Sequence, residues 1–230
     1  MQFNFFTKIQ SKIHRLKGTT IIQFGHPRSG TTLVYNLLKD IFPNRFVETR
    51  HYYRKKDRKF PTVVTYRNPL DAITSQLLVY QRSEKKGLLK DQEKLIITRE
   101  TLDSIIKIFE KNGIWEVIKI QNNQNVLMLK YEDFVNDFDI IFNAVENFFN
   151  TKINAETRSI LKNRYNIKSV EKISNKMNSY SEIDSKTLFH GDHIGKNKGQ
   201  PNFYKQFLED DQITYLKKIY SKFLINFNYF

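Results

Sequence analysis

The stretch Thr19-Thr20-Ile21-Ile22-Gln23-Phe24-Gly25-His26-Pro27-Arg28-Ser29-Gly30-Thr31-Thr32 decides the fold. Its first six residues are largely β-branched or apolar and run into a glycine, the pattern of a buried strand entering a turn. After Gly30, residues Leu33, Leu37, Leu38 and Ile41 recur at helical spacing with Val34 alongside, until Pro43 ends the run. The unit is strand, glycine loop, helix.

Working outward, Arg45 to Thr49 reads as a short second strand, Pro61 to Tyr66 as another and Val126 to Lys130 as a further clear one. Asn68-Pro69 opens a helix with proline in its first turn. Thr101 to Ile120, Asp139 to Phe149, Ala155 to Tyr165 and Asp210 to Phe223 carry helical periodicity. Tyr52 to Lys59 is expected to be a basic loop, Ser83 to Leu95 a charged insertion or lid, and Ser169 to Gln200 irregular. Apolar strands alternating with amphipathic helices predict an α/β fold with a mostly parallel central sheet flanked by helices. No repeat or linker divides the chain, so residues 1–230 are expected to form one domain. Ligands of such folds sit at the carboxyl ends of the strands, where Gly25, Arg67 and Tyr131 fall.

Lys and Arg total 38 against 24 Asp and Glu, a formal net charge of +14, which attracts anions. The absence of cysteine excludes disulfides, thiolate catalysis and thiolate zinc sites. No stretch approaches the roughly 18 apolar residues that span a bilayer. Residues 1–17 place Phe3, Phe5, Phe6, Ile9, Ile13 and Leu16 among Lys8, Lys12, Arg15 and Lys17. That is a basic amphipathic segment. It either packs on the domain, the favoured placement, or makes a peripheral contact with a membrane surface.

Gly25 and Gly30 have the spacing of a Walker A loop, whose amides converge on phosphate at a helix N-terminus. Thr31, however, stands where that motif has lysine, and the cation comes earlier, at Arg28. The loop should grip phosphate but lacks the lysine that reaches the β- and γ-phosphates of a triphosphate.

Pro27-Arg28-Ser29-Gly30-Thr31-Thr32 resembles the 5′-phosphosulfate loop of sulfotransferases that use 3′-phosphoadenosine 5′-phosphosulfate (PAPS). Arg67-Asn68-Pro69-Leu70-Asp71-Ala72-Ile73-Thr74-Ser75 resembles the 3′-phosphate motif of the same family, in the same order. Leu127 to Phe134 resembles its strand ending in Tyr-Glu-Asp, and His193 to Gly199 its late basic glycine loop. The resemblance runs over roughly Thr19 to Phe207. It implies a P-loop NTPase-like sulfotransferase architecture and transfer of a sulfuryl group from PAPS to a hydroxyl or amine, leaving adenosine 3′,5′-bisphosphate. Ser29, Gly30, Thr31 and Thr32 would hold the 5′-phosphate, with Arg28 bridging it and the sulfuryl group. Arg67 and Ser75 would hold the 3′-phosphate. Tyr131, Lys196, Lys198 and Gly199 would enclose the adenosine and 3′-phosphate. Asp71 is expected to brace the loop.

The base candidates lie in Glu48-Thr49-Arg50-His51. His51 ranks first for its ordinary pKa of about 6.5, Glu48 second, and His26 beside the loop third. A sulfuryl group carries less charge than a phosphoryl group, so no metal is expected. The His190-x-Asp192-His193 run reads as a polar loop rather than a ligand set. The acceptor is expected to be a small molecule or a glycan, with no nucleic acid partner, and the enzyme to be cytoplasmic. Two other readings remain open at this point: a P-loop nucleotide kinase or NTPase, and a basic nucleic-acid-binding protein using Tyr52 to Lys56.

Overall fold

The structure is a computed structural model that describes residues 5–84, 97–179, 181–191, 193, 194 and 199–229. Four strands, β1 (Thr20–Gly25), β2 (Phe46–Arg50), β3 (Thr62–Tyr66) and β4 (Val126–Lys130), form one sheet in the order β2-β1-β3-β4, with every pair parallel. The described helices are α1 (Phe5–Leu16), α2 (Thr31–Ile41), α3 (Pro69–Glu84), α4 (Arg99–Lys111), α5 (Ile114–Ile120), α6 (Tyr131–Phe134), α7 (Asp139–Phe149), α8 (Ala155–Tyr165), α9 (Ile167–Ser174), α10 (Asp210–Ile219) and α11 (Ser221–Asn226). None is long and apolar enough to cross a membrane.

The strands are apolar on both sides because each side is covered. Alternate residues of a strand point to opposite faces, and the sheet divides the core accordingly. Ile22, Phe24 and Val64 join α3, α4, α5, α10 and α11 through Leu77, Phe109, Val117, Leu216 and Phe223. Ile21, Val47, Val63 and Leu129 face the other way, onto Leu37, Phe142, Leu161 and Phe189. Thr49, Gln23, Thr65 and Ser29 form a polar chain within this apolar frame. Thr49 Oγ1 donates to Gln23 Oε1 at 2.6 Å, Gln23 Nε2 donates to Thr65 Oγ1 at 3.4 Å, and Thr65 Oγ1 lies 3.1 Å from Ser29 Oγ. It ties the ends of three strands to the glycine loop.

Three expectations need correction. The helical run from Thr101 to Ile120 is broken at Gly113, whose φ is +84°. A side chain there would meet His51 O at 2.5 Å and the Phe24 ring at 2.8 Å, so the chain turns on the one residue that fits. The closing run from Asp210 to Phe223 is likewise two helices, α10 and α11, meeting at Tyr220. The segment from Ser169 to Gln200 is not wholly irregular. Its start belongs to α9, capped by Asn166 accepting from the Ser169 amide, with Val170 in the core. Most of the expected insertion at Ser83 to Leu95 lies outside the described residues.

Candidate active site

The glycine loop occupies the carboxyl end of β1. Gly25 sits opposite Thr65 of β3, and a Cβ on it would lie 2.4 Å from Thr65 Oγ1 and 2.5 Å from Thr65 O. Any larger residue would push the two strands apart. Arg28 and Gly30 both take left-handed conformations, φ +62° and +84°. Glycine does so freely, whereas a side chain costs about 1 kcal/mol. Arg28 is held there by its own guanidinium: Nε donates to Ser75 Oγ at 3.0 Å and Nη2 to the His193 carbonyl at 3.4 Å. α2 begins directly after Gly30 with no side-chain cap, so its first amides are left for a ligand. The Ser29 hydroxyl turns inward, 2.7 Å from His26 O, and is fully buried.

Beside this loop opens a cavity lined by Arg28, Gly30, Thr31, Thr32, His51, Arg67, Ser75, Tyr131 and Gly199. Nine of the residues expected from sequence therefore meet in one place. Arg67, at the end of β3, is almost fully buried. Its guanidinium donates only to backbone carbonyls: Arg28 at 3.4 Å, Gly199 at 3.2 Å and Gln200 at 3.4 Å. It lies 4.2 Å from the centre of the Tyr131 ring and 5.5 Å from that of Phe203. Its Nε has no partner, and among the described residues no carboxylate pairs with it. The Asp71 carboxylate feels the Arg67 charge, which opposes the effect of burial on it, but does not pair with it. A buried cation held only by carbonyls still favours an anion beside it. The cavity thus fits a phosphorylated ligand on its own physics.

The late loop packs against this arginine. Gly199 has φ +75°, and a Cβ on it would lie 2.1 Å from the Tyr131 hydroxyl, so glycine alone permits the close approach. Asp71 braces the following turn, accepting from the Asn202 amide at 2.7 Å and the Tyr204 amide at 3.1 Å. Lys196 and Lys198 lie outside the described residues.

The three base candidates separate clearly. His51 follows β2 and lines the cavity. Its Nδ1 donates to Gly25 O at 2.7 Å, which leaves Nε2 as the lone-pair nitrogen. Burial holds it below the ordinary histidine value, with the Gly25 hydrogen bond opposing, so the ring is neutral at pH 7. His26 is fully buried away from the cavity. Nδ1 donates to Pro27 O at 2.9 Å and Nε2 accepts from the Arg67 amide at 3.1 Å. Burial takes it down to about 4. It joins the loop to β3 and has no nitrogen to spare. Glu48 is not brought to the cavity. Its carboxylate accepts from Ser11 Oγ at 2.5 Å and from Arg15 Nε and Nη2 at 2.6 and 2.8 Å, and pairs with Arg50. An acceptor saturated by two arginines is poorly placed to take a proton.

Sequence reasoning passed over a second part of the lining. Val135 and Phe138 follow Tyr131 by four and seven residues, a helical spacing that could have flagged them. Tyr165, Val170 and Phe189 come from α8, α9 and the loop beyond, and only tertiary packing brings them here. His190 and His193 also line the cavity, with Nε2 and Nδ1 3.3 Å apart.

Comparison with known proteins agrees with this geometry. A sulfotransferase domain model matches residues 44–228, most of the chain, starting after the glycine loop. No curated protein sequence matches. Among solved structures, mouse sulfotransferase SULT7A1 complexed with PAP superposes with a TM-score of 0.63 at 12% identity, covering 90% of this chain and 85% of that one. Retinol dehydratase, solved with androsterone and the inactive cofactor PAP and again with retinol and PAP, superposes at 0.60 with 15% identity, covering 90% of this chain and 81% of that one. These likenesses fix the fold. The domain match is neither to a nucleotide kinase nor to a nucleic-acid-binding module. Fold, cavity and domain match converge, and the chain belongs to the sulfotransferase family.

Proposed function

We propose that the cavity binds PAPS and that the enzyme moves its sulfuryl group to a hydroxyl or amine of a small-molecule or glycan acceptor. The observation that carries this reading is the buried Arg67 guanidinium, paired with no carboxylate among the described residues, beside the uncapped start of α2. When bound, PAPS supplies an activated sulfur–oxygen bond. The acceptor oxygen or nitrogen bonds to sulfur, the bond to the 5′-phosphate breaks, and adenosine 3′,5′-bisphosphate leaves.

The chain's own groups serve that exchange at three points. Arg28, with the amides of Gly30, Thr31 and Thr32, stabilises the charge that grows on the 5′-phosphate. Arg67 and Ser75 take the 3′-phosphate, and Tyr131 and Gly199 border the adenosine with Lys196 and Lys198. His51 Nε2 receives the acceptor proton. Ser29 contributes by using its hydroxyl to hold the loop to β3 rather than to meet the phosphate. Two arginines supply the positive charge, so no step calls for a metal. In this reading the enzyme works in the cytoplasm.

Calorimetric titration with adenosine 3′,5′-bisphosphate tests the reading directly. Wild type should bind without Mg²⁺, and Arg67→Met should weaken binding about 100-fold, the scale of a lost charged hydrogen-bond pair. Equal binding by the variant, or a strict need for Mg²⁺, would sink it.

A further inference from the structure

α1 is built the wrong way round for a helix that merely covers a core. Its inward face is polar. Ser11 donates to Glu48, Arg15 reaches Glu48 and Asp57 and lies 4.9 Å from the centre of the Phe60 ring, and His14 stacks on Phe46. Its outward face is apolar: Ile9, Ile13 and Leu16 are 42%, 44% and 80% exposed. At 3.6 residues per turn these three share one stripe. Single exposed apolar residues are ordinary, but a continuous stripe marks a contact surface.

Its surroundings say what kind of contact. α1 contains no acidic residue, and the first acidic residue of the whole chain is Asp40. Lys12 and Lys17 are exposed beside the stripe. Asp57, which pairs with Arg15, sits in a short 3-10 turn flanked by exposed Lys55, Lys56, Arg58 and Lys59. An apolar stripe and two groups of basic side chains thus lie close together.

We propose that α1 and the Lys55 to Lys59 turn dock the enzyme on an anionic phospholipid surface. The apolar stripe enters the acyl boundary and the lysines meet the head groups. A protein partner or a second copy covering the stripe would not call for this run of uncompensated positive charge.

Co-sedimentation with vesicles tests the idea on the full chain. Wild type should partition onto mixed phosphatidylserine and phosphatidylcholine vesicles, and weakly onto phosphatidylcholine alone. Ile13→Glu with Leu16→Glu should cut binding to the mixed vesicles at least about tenfold. Lys55→Gln and Lys56→Gln should each cost about fivefold and flatten the salt dependence. Both sets should keep wild-type affinity for adenosine 3′,5′-bisphosphate, which reports an intact fold because none of these residues lines the cavity. Wild type that ignores anionic vesicles overturns the proposal, as do variants that bind them like wild type. Light scattering that finds a dimer split by Ile13→Glu with Leu16→Glu assigns the stripe to a second copy instead, which also overturns it.

Discussion

Two arginine clusters of the molecule are built to opposite rules. In the first, Arg15, Arg50 and Arg54 surround Glu48 and Asp57. Burial pushes Asp57 up, but Arg50 and Arg54 more than reverse this and hold it below the usual carboxylate value. Arg50, drawn down to about 10 by burial, is still charged at pH 7. Arg67, in the cavity wall, is as buried as any of these, yet its guanidinium hydrogen-bonds only carbonyls and lies over two rings, with Asp71 acting on it only through its charge. The lesson concerns counter-charge. The first cluster is closed and belongs to the structure. The second holds its guanidinium on carbonyls and rings with no paired carboxylate among the described residues, which is what supports the proposed phosphate grip. Arginine content alone would not have told them apart.

Removing His51, which lines the cavity beside the second cluster, should have the largest effect. His51→Ala is expected to lower kcat about 1,000-fold, within the range of a lost general base, while affinity for adenosine 3′,5′-bisphosphate holds. The wild-type pH profile checks the same assignment. A base works when neutral, so the rate should be full above its pKa and fall as pH drops through it. Because burial lowers the His51 pKa, that fall should begin below the ordinary histidine value near 6.5. A profile that already falls above pH 7 would point to another base.

Next in size is a change that should touch stability and spare binding. Asp57→Asn leaves three arginines short of a carboxylate, and breaking a buried pair costs about 3–5 kcal/mol. Chemical denaturation should register that loss, with little change in nucleotide affinity. Arg67→Met should do the reverse. If Asp57→Asn weakens binding as much as Arg67→Met does, the two clusters are one unit and the contrast fails. A smaller loss, about 3 kcal/mol, should follow from His26. Its pKa drops from 6.5 to about 4 on folding, so the unfolded chain binds the extra proton between those values. Stability should therefore decline as pH falls from 6.5 towards 4, and His26→Gln should flatten that decline.

Much of this was legible in the sequence, for reasons that differ along the chain. The strand, glycine loop and helix from Thr19 to Ile41 could be read because local spacing alone defines them. Arg67 and Ser75 were readable as a motif, but their contact with Arg28 is a tertiary fact. Glu48 was misplaced because alternation along β2 cannot tell which side α1 will occupy, and Arg15 comes from α1. The break at Gly113 was missed because helical periodicity resumes across it. What forbids a continuous helix is the Phe24 ring and the His51 carbonyl, both distant in sequence. Phe189 and Val170 were beyond reach for the same reason.

The smallest predicted effect is the most discriminating. Ser75 Oγ accepts from Arg28 Nε at 3.0 Å, so it stands on both sides of the cavity's task. It is a candidate partner for the 3′-phosphate and it also steadies the side chain assigned to the 5′-phosphate. A hydrogen bond with one charged partner is worth about 1.5 kcal/mol, so Ser75→Ala should weaken nucleotide binding only about tenfold. The double variant decides which role dominates. If Ser75 works by holding Arg28 in its left-handed conformation, then Ser75→Ala should cost almost nothing once Arg28→Ala is in place. If the two losses multiply, Ser75 meets the ligand by itself, and the two phosphate grips are independent. The 3.0 Å contact argues for coupling. The second cluster would then be a single arginine-and-hydroxyl unit, rather than two separate sites that happen to share a wall.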